Sequence, residues 1–250
     1  MITHAEIKYY SSLLQKKYRQ KERKFTAEGD KLVAEGIESG LVPEVILTTT
    51  SFFEAQKDFF NSLKNCRIEL IMAADLKKLT DTKTPQEVIA IFPFISNRSE
   101  LKKLSRPLLV YLDNIADPGN TGTILRNCDW FGISDVLMSN GSVELYNPKV
   151  VRSSMGSIFH LNIFEDTGIR QLEELKKKGY SIICSDLMGE DVYDFMFPEK
   201  CIVVFSNEAH GPDNSVREVS DHIISIKKKG KAESLNVASA SAIILSLLTK

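Results

Sequence analysis

Three polar loops in the second half of the chain carry side chains that could do chemistry together. Each loop follows a short apolar run that predicts a β-strand, and each places amide, carboxyl, hydroxyl or guanidinium groups just beyond it. Such groups can orient a ligand, move a proton or stabilise an anion. Because the carboxyl ends of parallel strands share one edge of a sheet, we expect the loops to meet there. The residues are Asn120 with Arg126, Asn207 with Glu208, and Ser234 with Asn236.

The first loop has two glycines, but it fits neither established phosphate-binding pattern. DPGNTG at 117–122 lacks the G-x-x-x-x-G-K-[ST] of a P-loop, and the spacing of Gly119 and Gly122 does not match G-x-G-x-x-G. A structural interpretation is also open: Pro118 and Gly119 would shape the turn, and Asn120 would cap the next helix. Taken alone, the turn favours this tight strand-to-helix connection.

The helix after this turn predicts an outward-facing arginine. At about 100° per residue, one stripe of the helix is apolar, and Arg126 lies nearly opposite it, with Thr123 and Trp130 on its side. An arginine beside an aromatic ring suits RNA, through a phosphate contact and base stacking. Solvent and another subunit are the alternatives. The apolar stripe consists of Ile124, Leu125, Cys128 and Phe131.

Hydrophobic patterning divides the chain into two predicted α/β units, 1–95 and 108–250, joined by a polar linker at 96–107. Strands alternating with helices in the second unit are typical of a mainly parallel sheet covered on both faces. In the first unit, helices are predicted at 5–24, 26–40, 51–63 (with Ser51 as N-cap) and 73–79, and strands at 44–49, 67–71 and 87–92. In the second unit, strands are predicted at 108–112, 135–139, 161–164, 181–186, 201–205 and 222–226.

Two helix starts are predicted near the C-terminus. Asp213 is a candidate cap for one helix, and Ser234 is a natural N-cap for the other. The helix from Leu235 is apolar or small nearly all round, so it must be buried in its own fold or against a second subunit. Asn236, in its first turn, either serves a site or caps locally.

The composition is that of an ordinary globular protein. The 250 residues are 43% hydrophobic and carry a net charge of −1. Charge is unevenly placed, since residues 1–31 hold eight basic and four acidic side chains and 227–231 reads KKKGK. Such patches are either phosphate-binding surfaces or solvated faces. No apolar run reaches the ~18–20 residues of a membrane span. The N-terminus lacks the apolar core of a secretory signal, so a cytoplasmic location is expected.

No metal site is expected from the cysteines and histidines. The four cysteines lack metal-ligand spacing and the four histidines are scattered. We interpret Cys128, Cys184 and Cys201 as small buried hydrophobic residues.

The three loops resemble the three signature motifs of the SpoU (TrmH-like) RNA 2′-O-ribose methyltransferases of the SPOUT class. DPGNTGTILRNCDWFG at 117–132 is similar to the first motif, with KVVRSSMGS at 149–157 following in the family manner. FSNEAHG at 205–211 is similar to the second motif, and GKAESLNVASA at 230–240 is similar to the third.

This resemblance implies an architecture and a set of partners. Residues 16–37 look like part of the accessory RNA-binding domain that these enzymes often carry, a smaller N-terminal α/β fold. The C-terminal unit would be a trefoil-knotted, mainly parallel α/β fold, which general topology rules disfavour. Family members are typically homodimers that bind S-adenosylmethionine in the knot, with the active site near the dimer interface. The implied partners are rRNA or tRNA and a second copy of the chain, without a membrane.

The resemblance also implies roles for individual residues. The catalytic residues would be Asn120, Arg126, Glu208, Ser234 and Asn236. Cofactor contacts would come from Ser206, Asn207, Gly211, Ile226, Leu235 and Val237. RNA would be bound by Lys17, Arg19, Arg23, Lys24, Arg152 and Ser154.

Two positions depart from the family pattern. Ser206 stands where the second motif usually has Gly, and Lys227-Lys228 stand where the third usually has Pro-Met. The change to Ser matters if the backbone needs a positive φ or a close approach to the cofactor. Both departures bear on cofactor affinity.

The implied reaction is attack of a ribose 2′-hydroxyl on the sulfonium methyl of the cofactor. The family proposal makes Arg126 the base, but a guanidinium normally stays protonated. In a milder hypothesis, Arg126 holds an RNA phosphate and stabilises the developing alkoxide, while Asn120 and Glu208 orient it.

Two other functions are compatible with the sequence. One is a non-catalytic RNA-binding protein that keeps the methyltransferase fold. The other is an unrelated nucleotide-dependent α/β enzyme, which the lack of a phosphate-loop signature disfavours.

Overall fold

The computed structural model describes residues 2–63, 66–95, 101, 104–207 and 211–250. The chain forms two compact units, one of Met1–Ser96 with Glu144–Phe159 and one of Asn97–Val143 with His160–Lys250. Residues 144–159 therefore pack with the N-terminal unit although they follow the first motif in sequence. The domain boundaries proposed from the sequence stay a prediction.

The N-terminal unit is built on a four-stranded sheet of order β1-β4-β2-β3. β4 pairs antiparallel with both β1 and β2, and β2 pairs parallel with β3. The strands are β1 (Lys24–Glu28), β2 (Val45–Thr48), β3 (Ile68–Leu70) and β4 (Val88–Pro93). The helices are α1 (His4–Ser12), α2 (Lys16–Glu22), α3 (Asp30–Glu38), α4 (Thr50–Ala55), α5 (Lys57–Ser62) and α6 (Ala73–Leu76), which continues into a 3₁₀ turn at Lys77–Leu79.

The predicted first helix, 5–24, is wrong in its middle and at its end. The chain leaves the helix between α1 and α2, where Leu13 is fully buried and Gln15 is extended. It leaves it again at Arg23, which is left-handed with φ +55°. Local helical spacing does not reveal these breaks because burial of Leu13 against the sheet is a tertiary effect.

The predicted second helix, 26–40, is also wrong in its first residues. Residues 24–28 form β1, whose register pairs Phe25 with Phe92 and Ala27 with Ala90. Gly29, with φ +104°, separates β1 from α3. Pairing with a distant strand overrides the local helical pattern here.

The predicted helix 51–63 is divided at Gln56 into α4 and α5. Its N-cap is Thr49, which accepts a hydrogen bond from the backbone N–H of Phe52 at 3.2 Å, and not Ser51. The three strands predicted in this unit are confirmed to within one residue at each end.

The C-terminal unit contains a six-stranded sheet of order β10-β8-β9-β5-β6-β7, in which every pairing is parallel. The mainly parallel sheet expected from the sequence is confirmed, while the trefoil knot stays a prediction. The strands are β5 (Leu108–Asp113), β6 (Asp135–Met138), β7 (Asn162–Phe164), β8 (Ser181–Asp191), β9 (Cys201–Ser206) and β10 (His222–Ser225). The helices that follow β5 in sequence are α7 (Pro118–Trp130), α8 (Pro148–Ser153), α9 (Ile169–Lys177), α10 (Asn214–Val219) and α11 (Val237–Leu248). Of these, α8 belongs to the N-terminal unit.

β8 is longer than the predicted strand 181–186. Its register with β10 jumps between Ile223, which pairs with Cys184, and Ile224, which pairs with Glu190. The intervening residues of β8 leave the ladder, and Gly189 then lies so close to the backbone of Ile223 that a Cβ would come within 2.6 Å of its carbonyl oxygen. A side chain at residue 189 would therefore separate β8 from β10.

Buried apolar residues of α9, α10 and four strands form a core cluster of this unit. Cys184 belongs to this cluster, and Cys128 and Cys201 are also buried. Burial raises the pKa of Cys201 to about 11 and that of Cys184 to about 12. These thiols are buried hydrophobic groups, as the sequence indicated.

Candidate functional site

The three loops leave the same edge of the parallel sheet. β5, β9 and β10 end at Asp113, Ser206 and Ser225, and each is followed by one of the predicted motifs. β5 and β9 are neighbours, and their register pairs Asp113 with Ser206. The carboxyl edge of a parallel sheet is where ligands of open α/β folds bind.

The N-termini of α7 and α11 meet beyond this edge. Asp117 is the N-cap of α7 and accepts a hydrogen bond from the N–H of Asn120 at 2.8 Å. Asn236 is the N-cap of α11, so the predicted cap at Ser234 is wrong. Its Nδ2 donates to Asn120 Oδ1 at 2.9 Å. Two candidate catalytic residues are thus brought together, and the positive ends of two helix dipoles lie beside them.

The cap fixes the orientation of the Asn236 amide. Its Oδ1 accepts hydrogen bonds from the backbone N–H groups of Ala238, at 3.0 Å, and Ser239, at 3.2 Å. An amide nitrogen could not accept these bonds, so the Nδ2 group must point toward Asn120. Asn236 therefore caps its helix and contacts Asn120 at the same time, so the cap and a role in the site are compatible.

A second amide also ties α7 to α11. Asn127 Nδ2 donates to the carbonyl oxygen of Ala238 at 3.0 Å and to Ser241 Oγ at 2.9 Å. Asn127 was not among the residues predicted from the sequence, although its position along the helix is a signal. Asn127 lies seven residues after Asn120, which returns it to nearly the same face of the helix.

Arg126 lies on a different face of α7. Six residues separate it from Asn120, which corresponds to about 120° around the helix and about 9 Å along it. Its side chain is exposed and has neither a hydrogen bond nor an ion pair within the described residues. Trp130, one turn later, is 81% exposed. Both side chains are exposed, as predicted.

The second loop is held against the end of β5. The N–H of Asn207 donates to the carbonyl oxygen of Asp113 at 3.2 Å, and Asn207 Nδ2 donates to the carbonyl oxygen of Asn114, also at 3.2 Å. Gly211 closes the loop with an N–H bond of 2.8 Å to the carbonyl oxygen of Asn207 and adopts φ +67°. Glu208 lies outside the described residues.

Cofactor candidates line the starts of the loops. Ser206 is buried, and within the described chain its hydroxyl makes no hydrogen bond of good geometry. Ile226 is half-buried, Leu235 is 45% exposed, and Val237 is buried in the first turn of α11. Ser234 is exposed. These residues include a buried hydroxyl at the end of β9 and exposed apolar surface just before α11.

Lys227 and Lys228, which stand where the family pattern has Pro-Met, each donate a hydrogen bond to a backbone carbonyl near the basic loop. Lys227 Nζ donates to the carbonyl oxygen of Gly189 at 2.6 Å, and Lys228 Nζ donates to that of Ala232 at 3.3 Å. The first bond joins the end of β10 to β8, and the second closes the basic loop on itself. Lys229 and Lys231 are exposed.

Comparison with known proteins decides the family. Residues 107–246 match the model of the SpoU rRNA Methylase family, and residues 4–90 match that of the MRM3-like substrate binding domain. The first match alone covers more than half of the chain. The chain belongs to the SpoU rRNA methylase family. The family expected from the three motifs is confirmed.

Three relatives of this SpoU family member illustrate the likeness. A 23S rRNA (guanosine(2553)-2′-O)-methyltransferase of Bacillus subtilis is 28% identical over 96% of this chain and 94% of its own. A 23S rRNA (uridine(2479)-2′-O)-methyltransferase of Streptomyces viridochromogenes is 32% identical over 73% of this chain and 68% of its own. The structure of an AdoMet-bound rRNA methyltransferase from Sinorhizobium meliloti superposes with a TM-score of 0.85 at 25% identity, over 99% of this chain and 95% of that one.

The six RNA candidates of this SpoU protein fall into two groups. Lys17 and Arg23 are exposed, and each cation lies over an aromatic ring, at 5.1 Å from the Tyr18 centroid and 4.9 Å from the Phe94 centroid. Lys24 forms an ion pair with Glu44. Lys17 and Arg23 are the two of the six that are exposed.

Arg19 and Ser154 do not lie where the RNA assignment needs them. Arg19 is 2% exposed and forms a two-bond ion pair with Glu144, which includes a 3.1 Å contact from Nε to Oε1. Ser154 is fully buried and donates to the carbonyl oxygen of Val151 at 2.8 Å. Burial of both side chains argues against direct RNA contact.

Arg152 is occupied within the N-terminal unit. Its Nη1 lies 2.7 Å from Asp81 Oδ1 and 3.4 Å from Glu28 Oε2. Glu28 is buried and also accepts the hydroxyl of Thr80 at 2.6 Å. Arg152 thus ties α8 to β1, and RNA would have to compete with two carboxylates for it.

The described part of the chain has neither a candidate metal cluster nor a helix that could span a membrane. Among these residues, no cluster of three or more His, Cys, Asp or Glu side chains could hold a metal ion. No helix in the same residues is long and apolar enough to cross a membrane.

Proposed function

We propose that this protein transfers the methyl group of S-adenosylmethionine to a ribose 2′-hydroxyl of large-subunit ribosomal RNA. The observation that carries the proposal is the hydrogen bond between Asn120 and Asn236 at the carboxyl edge of the parallel sheet, in a chain of the SpoU family. The choice of rRNA over tRNA rests on the relatives, which are named for 23S rRNA.

The residues present fit the cofactor. The buried hydroxyl of Ser206 lies at the end of β9 and makes no hydrogen bond of good geometry within the described residues. Leu235 exposes apolar surface just before α11. A nucleoside needs both kinds of contact, polar groups for its sugar and apolar surface for its base. S-adenosylmethionine supplies the electrophilic methyl group when it is bound.

Asn120 and Asn236 would position the reacting oxygen. The contact between them uses one N–H of Asn236 Nδ2, and the second N–H has no partner within the described residues. A fixed amide donor beside two helix N-termini stabilises the negative charge that develops on the 2′-oxygen. The amides thus orient the hydroxyl and lower the barrier, while the hydroxyl proton leaves to solvent water as the O–CH₃ bond forms and the S–CH₃ bond breaks. The role of Glu208 as the acid of the second motif stays a prediction.

Arg126 would act as a phosphate clamp and electrostatic stabiliser. Its guanidinium is exposed and makes no hydrogen bond or ion pair within the described residues, so its donors are available to an RNA phosphate. Because it lies about 120° around α7 from Asn120, it faces away from the Asn236 contact of its own chain.

A homodimer would bring Arg126 to an Asn120–Asn236 contact even though the two lie on different faces of α7, because that contact would belong to the other chain. α11 carries half-buried apolar residues at Ile243, Leu247 and Leu248, and Trp130 is almost wholly exposed on α7. A second copy that covers these surfaces would place Arg126 of one chain beside the amides of the other. RNA would then be gathered by exposed basic residues such as Lys17 and Arg23. The cytoplasmic location stays a prediction.

The test is methyl transfer to defined RNA. Purified protein is incubated with S-adenosylmethionine carrying a tritiated methyl group and with rRNA from a strain that lacks the gene, and the modified ribose is then mapped. We expect a single new 2′-O-methyl site in the large-subunit rRNA. A protein that binds the rRNA but neither binds S-adenosylmethionine nor incorporates label would support the non-catalytic alternative instead.

A further inference from the structure

Asp113, the last residue of β5, is a buried carboxylate that none of the family motifs assigned above uses. It is 2% exposed. Its Oδ2 accepts the backbone N–H of Asp213 at 2.9 Å, and its Oδ1 accepts Asn114 Nδ2 at 3.0 Å. Burial raises the pKa of Asp113, and the N–H bond from Asp213 acts against that rise. Burying a carboxyl group costs free energy unless the group is hydrogen-bonded, so these bonds need an explanation.

The partners of Asp113 are the two sides of the second loop. Its carbonyl oxygen accepts the N–H of Asn207, at the start of the loop, and its carboxylate accepts the N–H of Asp213, at the end. Asp213 is also the N-cap of α10, because its Oδ1 accepts the N–H of Ser215 at 2.9 Å. Asp113, a single residue of β5, therefore binds the backbone at both ends of the second loop.

Asn114 completes the anchor from a strained position. It adopts φ +53°, a left-handed conformation that asparagine tolerates better than most residues. Its carbonyl oxygen receives Asn207 Nδ2 at 3.2 Å, and its backbone N–H donates to Ser139 Oγ at 2.8 Å. The bend at Asn114 directs its carbonyl oxygen to Asn207 of this loop and its side-chain amide to the carboxylate of Asp113.

We infer that Asp113 is a positioning residue for the methyl transfer, because it holds Asn207 and Asp213 at the spacing that the second loop needs. The inference rests on the function proposed above. In sequence, these two anchors bracket the end of the second motif, which includes the proposed acid Glu208 and the proposed cofactor contact Gly211. Asp113 would act through them, without touching the substrate.

The sharpest variant is Asp113→Asn. A carboxamide has nearly the same shape but a single acceptor oxygen, so either Asn114 Nδ2 or the Asp213 N–H must face an NH₂ group. The matched control is Asp135→Asn. Asp135 is also a buried carboxylate, on the adjacent strand β6, and accepts Asn162 Nδ2 at 3.0 Å, but it lies at the opposite, amino end of the sheet.

Backbone amide hydrogen exchange reads the anchor without any ligand. We expect the Asp213 amide to exchange about tenfold faster in Asp113→Asn than in the wild type, and to be unchanged in Asp135→Asn. With S-adenosylmethionine and rRNA, we expect Asp113→Asn to lower kcat at least tenfold and to weaken S-adenosylmethionine binding, while the KM for RNA stays within about twofold.

Asn114→Gly is the second variant in case Asp113→Asn does not fold. It keeps the left-handed backbone and removes one donor to the carboxylate. We expect smaller changes in the same direction. Unchanged exchange at Asp213 in both variants, or faster exchange with unchanged methyl transfer, would overturn the positioning role. A wild-type protein that methylates no rRNA would overturn the proposed function and with it the role of Asp113 in transfer. Faster Asp213 exchange in Asp113→Asn would still identify the anchor.

Discussion

Asn236 Nδ2 donates a hydrogen bond of 2.9 Å to Asn120 Oδ1, while Asn236 Oδ1 caps the first turn of α11. One side chain thus joins two helix starts that are more than a hundred residues apart in sequence. Because the cap fixes which end of the amide faces the site, helix stability and site geometry depend on the same residue and can be separated by substitution.

Asn236→Ser should separate these two roles. Serine is a good N-cap, so we expect the melting temperature to stay close to that of the wild type, while methyl transfer falls at least tenfold because serine cannot reach Asn120. Asn236→Ala should lose the activity and also about 1 kcal/mol of stability. Thermal unfolding and single-turnover methylation measure the two effects. Thr3→Ala, which removes the cap of α1, is the matched control and should lower stability alone. Full activity of Asn236→Ser would remove the contact from the mechanism.

Mixing two inactive variants should restore activity if Arg126 acts in the site of the partner. In a mixture of Arg126→Ala with Asn236→Ala, half of the dimers are mixed, and each mixed dimer keeps one intact site, so we expect about a quarter of wild-type activity. If Arg126 acts in its own chain, every site stays defective and the mixture stays inactive. Each variant alone should be inactive, and Arg126→Ala should still bind S-adenosylmethionine in a calorimetric titration.

Arg19 should prove to be a structural residue. Removing Arg19 leaves the carboxylate of Glu144 buried without its ion-pair partner. We therefore expect Arg19→Ala to destabilise the protein by about 3–5 kcal/mol. Urea denaturation measures this loss. The double variant Arg19→Met with Glu144→Leu should recover much of the stability. A mild loss of RNA affinity with unchanged stability in Arg19→Ala would return Arg19 to the RNA surface.

Lys17 provides the contrast. It is exposed, so we expect Lys17→Ala to leave stability unchanged and to weaken RNA binding. If Lys17 meets a phosphate, the slope of log affinity against log salt should fall by about 0.7–0.9. Filter binding over a salt series measures that slope.

The basic loop after β10 should contribute to RNA affinity near the target nucleotide. Lys229 and Lys231 are exposed and flank Gly230, the first residue of the third motif. We expect the double alanine variant to raise the KM for RNA and to reduce the salt slope by about one to two units, with little change in kcat. Lys177 and Lys178, at the end of α9, are the matched pair, and their removal should have a smaller effect on KM. Equal effects from both pairs would indicate nonspecific charge attraction.

Acid should weaken the N-terminal helix through Glu6. The Thr3 N–H, Arg67 and the Thr3 hydroxyl donate to its carboxylate and lower the pKa of Glu6 from 4.5 to about 2. A lowered pKa stabilises the folded state above the unfolded value, and that stabilisation is lost as the pH falls through the folded value. The stability difference between the wild type and Glu6→Gln should therefore be largest near neutral pH and disappear between about pH 4.5 and pH 2. Denaturant midpoints over this range measure it, and a difference that persists at pH 2 would contradict the assignment.

Much of the C-terminal unit was predictable from the sequence. A strand buried on both faces reads as a short apolar run, so β5, β6, β7, β9 and β10 were placed within a residue or so. The three polar loops were recognisable for the same reason, because polar residues stand out directly after such runs. Residue types and spacing in those loops determined the family and the candidate chemistry.

Only the tertiary structure decided how those candidates are used. Residues 24–28 read locally as helix and coil, but pairing with β4 makes them a strand. The local sequence predicts Arg19 as a surface cation, but in the structure it is buried and forms an ion pair with Glu144, which is far along the chain. Asn236 rather than Ser234 caps α11, and Asp113 anchors a loop a hundred residues away. A local pattern specifies which residues are apolar and with what period, whereas hydrogen-bond partners depend on strand register and chain crossings that a single sequence does not contain.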